Sequence, residues 1–221
     1  LKELERKVPR IIHVDVDPDE IGKNFSTELG VVADAKVAMG QLAERLKLMG
    51  CSKPSRSEEI VGYKRKTEAS VLQRAPHQVG IIRSMREQLD DDAVVVAGVT
   101  NIGYWSNVAY EVRQPRSYVT SGYFGTLGYA FPTALGVKIA VPDKQVVALC
   151  GDGGFMYSPQ EFSTAVQYGI NAVAVVFNNN AFGASRWDQT HRYDGRFIGT
   201  DLANPDFMKL ADSFGVLGIR T

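Results

Sequence analysis

VVALC (146–150) running into Gly151-Asp152-Gly153-Gly154, and AVAVVF (172–177) running into Asn178-Asn179-Asn180, decide how this chain is read. Each apolar run has the length and β-branched content of a buried strand. Between them, SPQEFSTAVQYG reads as one helix. Ser158 suits the N-cap, Pro159 the first helical position, and Glu161 completes a Ser-x-x-Glu capping box. Phe162, Ala165, Val166 and Tyr168 supply an apolar stripe at helical spacing. A strand, helix and strand joined by short connections form a βαβ unit with parallel strands. Asp152 and Asn179, 27 positions apart, therefore emerge at the same edge of one sheet. Beyond the carboxyl ends of its strands is where an open α/β sheet binds ligands.

The residue types at that edge point to a metal bound to phosphate. A carboxylate, an amide oxygen and a backbone carbonyl are hard oxygen ligands, the set Mg²⁺ prefers while keeping positions for phosphate oxygens and water. Gly151, Gly153 and Gly154 let backbone N–H groups approach a phosphate without an intervening Cβ, and the helix N-terminus at 158–161 adds a favourable dipole. Asp-Gly and Asn-Asn are also common turn dipeptides. The complete strand-helix-strand unit between them is what favours a ligand site over a plain turn.

Outward from this unit, the chain alternates strands and helices. Residues 1–49 carry a strand (11–16), an acidic turn, a short strand near Val31–Ala33, and a helix from Asp34 with Val37, Leu42, Leu46 and Met49 on its apolar side. Residues 50–75 are polar, charged and poorly periodic, and read as an interdomain linker. From Pro76 the pattern tightens into a helix (77–89), a strand (93–98), a helix near 102–110, a strand (116–120), a Gly-rich loop (121–128) and a helix (131–141). Such alternation predicts an α/β fold, a doubly wound parallel sheet with helices on both faces, over residues 76–221. Residues 1–49 are then the remnant of a second α/β domain.

Composition sets limits on function. Lys plus Arg (25) equals Asp plus Glu (25), which gives no basic face for nucleic acid. Cys51 and Cys150 have no metal or disulfide spacing and suit a reducing, cytoplasmic setting. No apolar run approaches a membrane span, so no membrane partner is expected.

GDGGFMYSPQEFSTAVQYGINAVAVVFNNNAFG (151–183) resembles the thiamin-diphosphate motif, GDG followed by NN at this spacing. SGYFGTLGYAFPTALGVKIAVPDKQVVALCGDG (121–153), IIHVDVDPDEIGKN (11–24) and GTDLANPDFMKLADSFGV (199–216) are similar to segments of the acetolactate synthase and pyruvate oxidase branch of that superfamily. The resemblance implies that Asp152, Asn179 and the carbonyl of Ala181 hold Mg²⁺, and that Gly153 and Gly154 donate to the cofactor diphosphate. Gly151, Phe182 and Gly183 would complete that binding site. Thr100 and Asn101 stand where the family makes further diphosphate contacts. Acetolactate synthases usually carry Gly-Gln-His-Gln there, and this chain has Thr100-Asn101-Ile102-Gly103, so the histidine contact is lost. A plain strand-to-helix turn with an Asn cap is the other reading of these two residues. By the same resemblance, Gly125 accepts from the cofactor's 4′-amino group and Leu127 wedges beneath the cofactor. Read alone, the three glycines are a flexible loop or a loose phosphate cradle, and a Leu is ordinarily core.

The family activates its cofactor with a glutamate from a separate N-terminal domain across a dimer interface. None of Glu3, Glu5 or Glu20 has a matching context. The expectation is therefore a fragment, or one part of a split enzyme, inactive alone and working as a dimer or tetramer with a shared active site. The substrate would be a small 2-oxo acid. Carboligation to acetolactate, decarboxylation, and C–C cleavage of a diketone all stay open. Arg186 and Trp187 could face it, or lie on a solvated loop spanning 180–198. His13 reads as structural, and His77 and His191 lie in polar context. The branch often binds FAD, which would lie near Asp15 and Asp17. Two rivals come from other classes: a phosphatase built on Asp15-x-Asp17, and a non-catalytic α/β interaction module.

Overall fold

The computed structural model describes residues 10–122 and 124–221. Glu3, Glu5 and Tyr123 lie outside the described residues. The chain divides into two compact units, 1–61 and 62–221.

In the first unit, β1 (Ile12–Asp15) pairs in parallel with β2 (Leu29–Val32), with His13 opposite Gly30. Helix α1 (Ala35–Leu48) follows, its N-terminus capped by Asp34, whose carboxylate accepts from the Val37 N–H at 3.1 Å. The acidic turn is locally satisfied. Asp15 accepts from the Asp17 N–H, and Asp17 from the Asp19 N–H, each at 2.9 Å. These are short Asx-type turns, which leaves the phosphatase reading without support. Residues 57–74, inside the stretch read as an aperiodic linker, form an exposed helix, α2 (Ser57–Arg74). Its sequence has no apolar face to reveal it, but it is rich in the unbranched charged residues that favour helix.

The second unit is a four-stranded parallel sheet in the order β4-β3-β5-β6, where β3 is Val94–Ala97, β4 Tyr118–Thr120, β5 Val146–Gly151 and β6 Val173–Phe177. Alternation along the strands divides the core. Val95, Val147 and Leu149 face helices α3 (Pro76–Gln88) and α4 (Asn101–Ala109), meeting Ile82 and Ile102. Val94, Val96, Val146, Ala148 and Cys150 face helix α5 (Ala130–Ala140), meeting Phe131, Ala134 and Leu135. Helices on both faces make the sheet doubly wound, as read from the sequence. On the α5 side, Phe131, Phe155 and Phe162 stack with ring centroids 5.0–5.6 Å apart. This cluster ties the segment after β5 to the core.

The crossover from β5 to β6 differs in detail from its sequence reading. A one-turn helix, α6 (Asp152–Phe155), starts directly at the GDG segment, and the main crossover helix α7 (Glu161–Tyr168) begins three residues after Ser158. The capping box does not form. Ser158 instead donates its hydroxyl to the Gly128 carbonyl at 2.9 Å, and Glu161 accepts from the Thr164 hydroxyl at 2.8 Å. The dipole nearest the site is thus that of α6, not the turn at 158–161. Helices α8 (Gly183–Arg192) and α9 (Phe207–Ser213) complete the unit.

Candidate functional site

Strand order locates the site. After β3 the chain adds β4 on one side, then returns to add β5 on the other, so the crevice between the carboxyl ends of β3 and β5 is the topological switch point. Two helices, α4 and α6, begin beside this crevice. The backbones approach closely there: Gly98 donates its N–H to the Leu149 carbonyl at 2.8 Å, and a Cβ on Gly98 would sit 2.6 Å from that oxygen. A cleft of about 1020 Å³ opens from this point. It is lined by Thr100, Asn101, Leu127, Gly151, Asp152, Gly153, Gly154, Asn179, Ala181, Phe182 and Gly183. Of the residues that the sequence assigns to cofactor or metal binding, only Gly125 does not line it; it has φ +53.

The pairing of Gly151 with Phe177 sets Asp152 beside Asn178. Asp152 is 3% exposed, and its Oδ2 accepts from the Ala181 N–H at 3.2 Å and from Asn204 Nδ2 at 2.7 Å. Among the described residues, no Lys, Arg or His forms an ion pair with it. A buried carboxyl group held only by neutral donors has no cationic partner of its own, and its anion is costly to bury unless a cation joins it. No group of three His, Cys, Asp or Glu side chains gathers among the described residues. The donors on offer are therefore one carboxylate with amide and carbonyl oxygens, the chemistry of a hard divalent cation.

The loop carrying Asn179 and Ala181 is pinned from outside. Asn178 Oδ1 accepts from the Asn180 N–H at 3.0 Å, and Asn180 takes φ +53, a left-handed conformation Asn tolerates. Ala181 then pairs antiparallel with Asp201. The bonds of that bridge come from the flanking residues, Phe182 N–H to Thr200 O at 2.8 Å and Leu202 N–H to Asn180 O at 2.9 Å. The N–H and carbonyl of Ala181 are not used in the bridge, and its N–H turns to Asp152.

Three sequence readings need correction. Gly153 does not leave open space for a ligand: a Cβ there would meet the Phe182 ring at 2.5 Å and Leu202 at 2.9 Å, so its bareness serves this chain's own packing. At Gly154 the nearest atom to such a Cβ is Leu127 Cδ2 at 3.8 Å, an ordinary van der Waals contact that a methyl group would tolerate. The loop 180–198 contains a ten-residue helix, α8. Arg186, read as facing the substrate or lying on a solvated loop, sits on that helix outside the cleft lining, paired with Asp201 and lying over the Phe197 ring. Trp187 and Asp188 do line the cleft, with Trp187 stacked on His191 at 4.2 Å and Asp188 paired with Arg192.

The sequence reading missed Asn204, whose amide nitrogen contacts oxygens of Asp152, Asn178 and Asn180. It also missed Gln78, which donates to Asn101 Oδ1 at 3.0 Å, and His77, which lines the cleft beside it. Pro76, opening a helix that follows a polar stretch, was the available signal for the last two. The Gly-rich loop is held at the crevice by two hydroxyls, Ser158 to the Gly128 carbonyl and Tyr129 to the Ala97 carbonyl. Behind it, burial pushes the Cys150 thiol up to about 12, which makes it inert packing.

Crevice, oxygen cluster and pinned loop all fall within a stretch that places the chain in the thiamine pyrophosphate enzyme family. Residues 98–221 match "Thiamine pyrophosphate enzyme, C-terminal TPP binding domain". Over 96% of its length the chain is similar to the acetolactate synthase large subunit of Corynebacterium glutamicum, at 35% identity, and to the probable acetolactate synthase large subunit of Methanococcus aeolicus, at 31%. The acetolactate synthase large subunit of Haemophilus influenzae is 34% identical over 98% of the chain. The chain spans 36%, 38% and 39% of the lengths of these three relatives.

Proposed function

We propose that this protein is a thiamin-diphosphate- and Mg²⁺-dependent enzyme that makes or breaks a C–C bond next to the carbonyl of a 2-oxo acid, in the manner of acetolactate synthase. The observation that carries the reading is the buried Asp152 carboxylate at the switch point, held by neutral donors and facing a large cleft. Asp152, Asn179 and the Ala181 carbonyl are the ligands for Mg²⁺. The N–H groups of Gly153 and Gly154, in the first turn of α6, have no acceptor within their own helix and donate to the diphosphate. Thr100 and Asn101, opening α4, approach it from the β3 side, and Gln78 fixes the Asn101 amide. Leu127 lies against the cleft wall near Gly154, where it supports the cofactor's bend, with Gly125 contributing its carbonyl.

When bound, thiamin diphosphate supplies the nucleophilic carbon and the electron sink that 2-oxo acid chemistry needs. The protein's part is to anchor, orient and exclude water. No glutamate of the described residues lines the cleft, and a carboxyl group from another domain or subunit would tune the aminopyrimidine. In the first unit, Asp15 and Asp17 each use one carboxylate oxygen in a local turn and keep the other for a flavin or ADP moiety in the full-length protein.

Thermal unfolding with and without thiamin diphosphate plus Mg²⁺ tests the reading. Saturation at 100 times Kd stabilises a native state by about 2.7 kcal/mol, so Tm should rise by several degrees, and neither component alone should give the full shift. An unchanged Tm with both present refutes the proposal and favours an interaction module that has lost its site.

A further inference from the structure

Asn204 sits outside both sequence motifs, yet it is the point where the site's oxygens converge. Its Nδ2 lies 2.7 Å from Asp152 Oδ2, 3.0 Å from Asn178 Oδ1 and 3.2 Å from Asn180 Oδ1. An amide nitrogen has two hydrogens, so it satisfies two of these acceptors at once and shares the third. The amide orientation follows from its neighbours, since the reversed amide would press a fourth oxygen against three others. Asn204 is carried by the segment that is bridged to the loop through Thr200 and Leu202. One side chain thus spans the end of β5, the turn after β6, and the strap between α8 and α9.

We infer that Asn204 is a positioning residue that holds Asp152 and the 178–181 loop in ligand-ready form before a cation arrives. The inference rests on the cation reading given above. Without a cation, three oxygens this close repel one another, and an amide donor placed among them removes that repulsion. By occupying Oδ2 of Asp152 together with the Ala181 N–H, it also directs the other carboxylate oxygen to the metal. No donor among the described residues reaches that Oδ1. Outer partners of this kind set ligand orientation, and their loss typically weakens metal affinity about 10–100-fold.

The test measures Mn²⁺ binding to the intact protein, by the loss of the free-ion spin-resonance signal with thiamin diphosphate present, beside the Tm of the metal-free protein. Asn204→Leu keeps the volume and loses the donors. It should bind Mn²⁺ about 10–100-fold more weakly. Asn204→Asp is isosteric and places a carboxylate among the oxygens. It should lower the metal-free Tm, yet show a larger Tm gain on adding Mn²⁺ than the parent protein. That opposed pair of shifts would not arise from a packing role. Unchanged Mn²⁺ affinity in Asn204→Leu, or an unchanged metal response in Asn204→Asp, overturns the inference while leaving the cation site standing. A parent protein that takes up no Mn²⁺ overturns both.

Discussion

At the scale of single residues, Asp152 carries the most. It is a buried carboxyl group without a cationic partner among the described residues, so its removal should matter most in the loaded protein. Asp152→Asn should weaken thiamin diphosphate and Mg²⁺ together by about 10-fold or more, with partial recovery at high concentrations of both. Cofactor titration at two Mg²⁺ concentrations measures this, and an unchanged cofactor dependence would remove Asp152 from the ligand set. The neighbouring glycines separate packing from binding. Gly153→Ala forces a methyl against Phe182 and Leu202 and should cost roughly 1–3 kcal/mol of stability. Gly154→Ala, whose methyl would make an ordinary van der Waals contact at 3.8 Å, should leave Tm nearly unchanged. The Asp152–Asn179 spacing was legible because a βαβ unit fixes both ends. Asn204 was not, because its role exists only once the 200–204 strap folds back across the site.

The two cysteines give a pH prediction. Cys150 has its folded pKa raised to about 12 by burial, against roughly 8.5 for a free thiol. Folding therefore holds its proton more tightly, and that contribution is complete below about pH 8.5 and lost as pH climbs toward 12. Exposed Cys51 should be alkylated at pH 8 in the native protein, while Cys150 reacts only after denaturation. Mass spectrometry that finds Cys150 labelled without denaturant would contradict the buried placement.

At the scale of elements, strands were read within two residues because continuous apolar runs have one stable home, the middle of a two-sided sheet. Helix ends were harder. Ser158 looked like a cap by spacing, but its hydroxyl is taken by the Gly128 carbonyl, a bond of 30-residue separation that no local pattern announces. Helix α8 was missed because GASRWDQTHR shows few apolar residues, its stability coming from polar contacts and from the Ala181–Asp201 bridge at its entry. The Ser158 bond has a measurable consequence. Ser158→Ala should cost about 1 kcal/mol through the lost bond and should raise hydrogen exchange across the 125–129 loop more than across β5. Equal protection in parent and variant would show that the tether does not hold the loop.

At the scale of the whole molecule, the cleft asks for a partner. Asp152, Gly153, Gly154 and Asn179, proposed above to hold the cation and the diphosphate, line it, but none of the glutamates of the described residues does. Leu127 and Phe182, which line it, are half-buried, and Phe124 in the Gly-rich loop is 93% exposed. Within the first unit, Val37, Leu42, Leu46 and Met49 of the α1 region, read as its apolar side, are exposed. We therefore expect the intact protein to sediment as a dimer or larger homo-oligomer in which a second chain covers the cofactor and supplies the acid. The 221-residue chain, given thiamin diphosphate, Mg²⁺ and pyruvate, should release no carbon dioxide. Adding a domain that carries the missing glutamate should restore release, and replacing that glutamate with glutamine should abolish it again. Turnover by the chain alone would mean that the activating group lies within these residues, and the shared-site argument would fall with it.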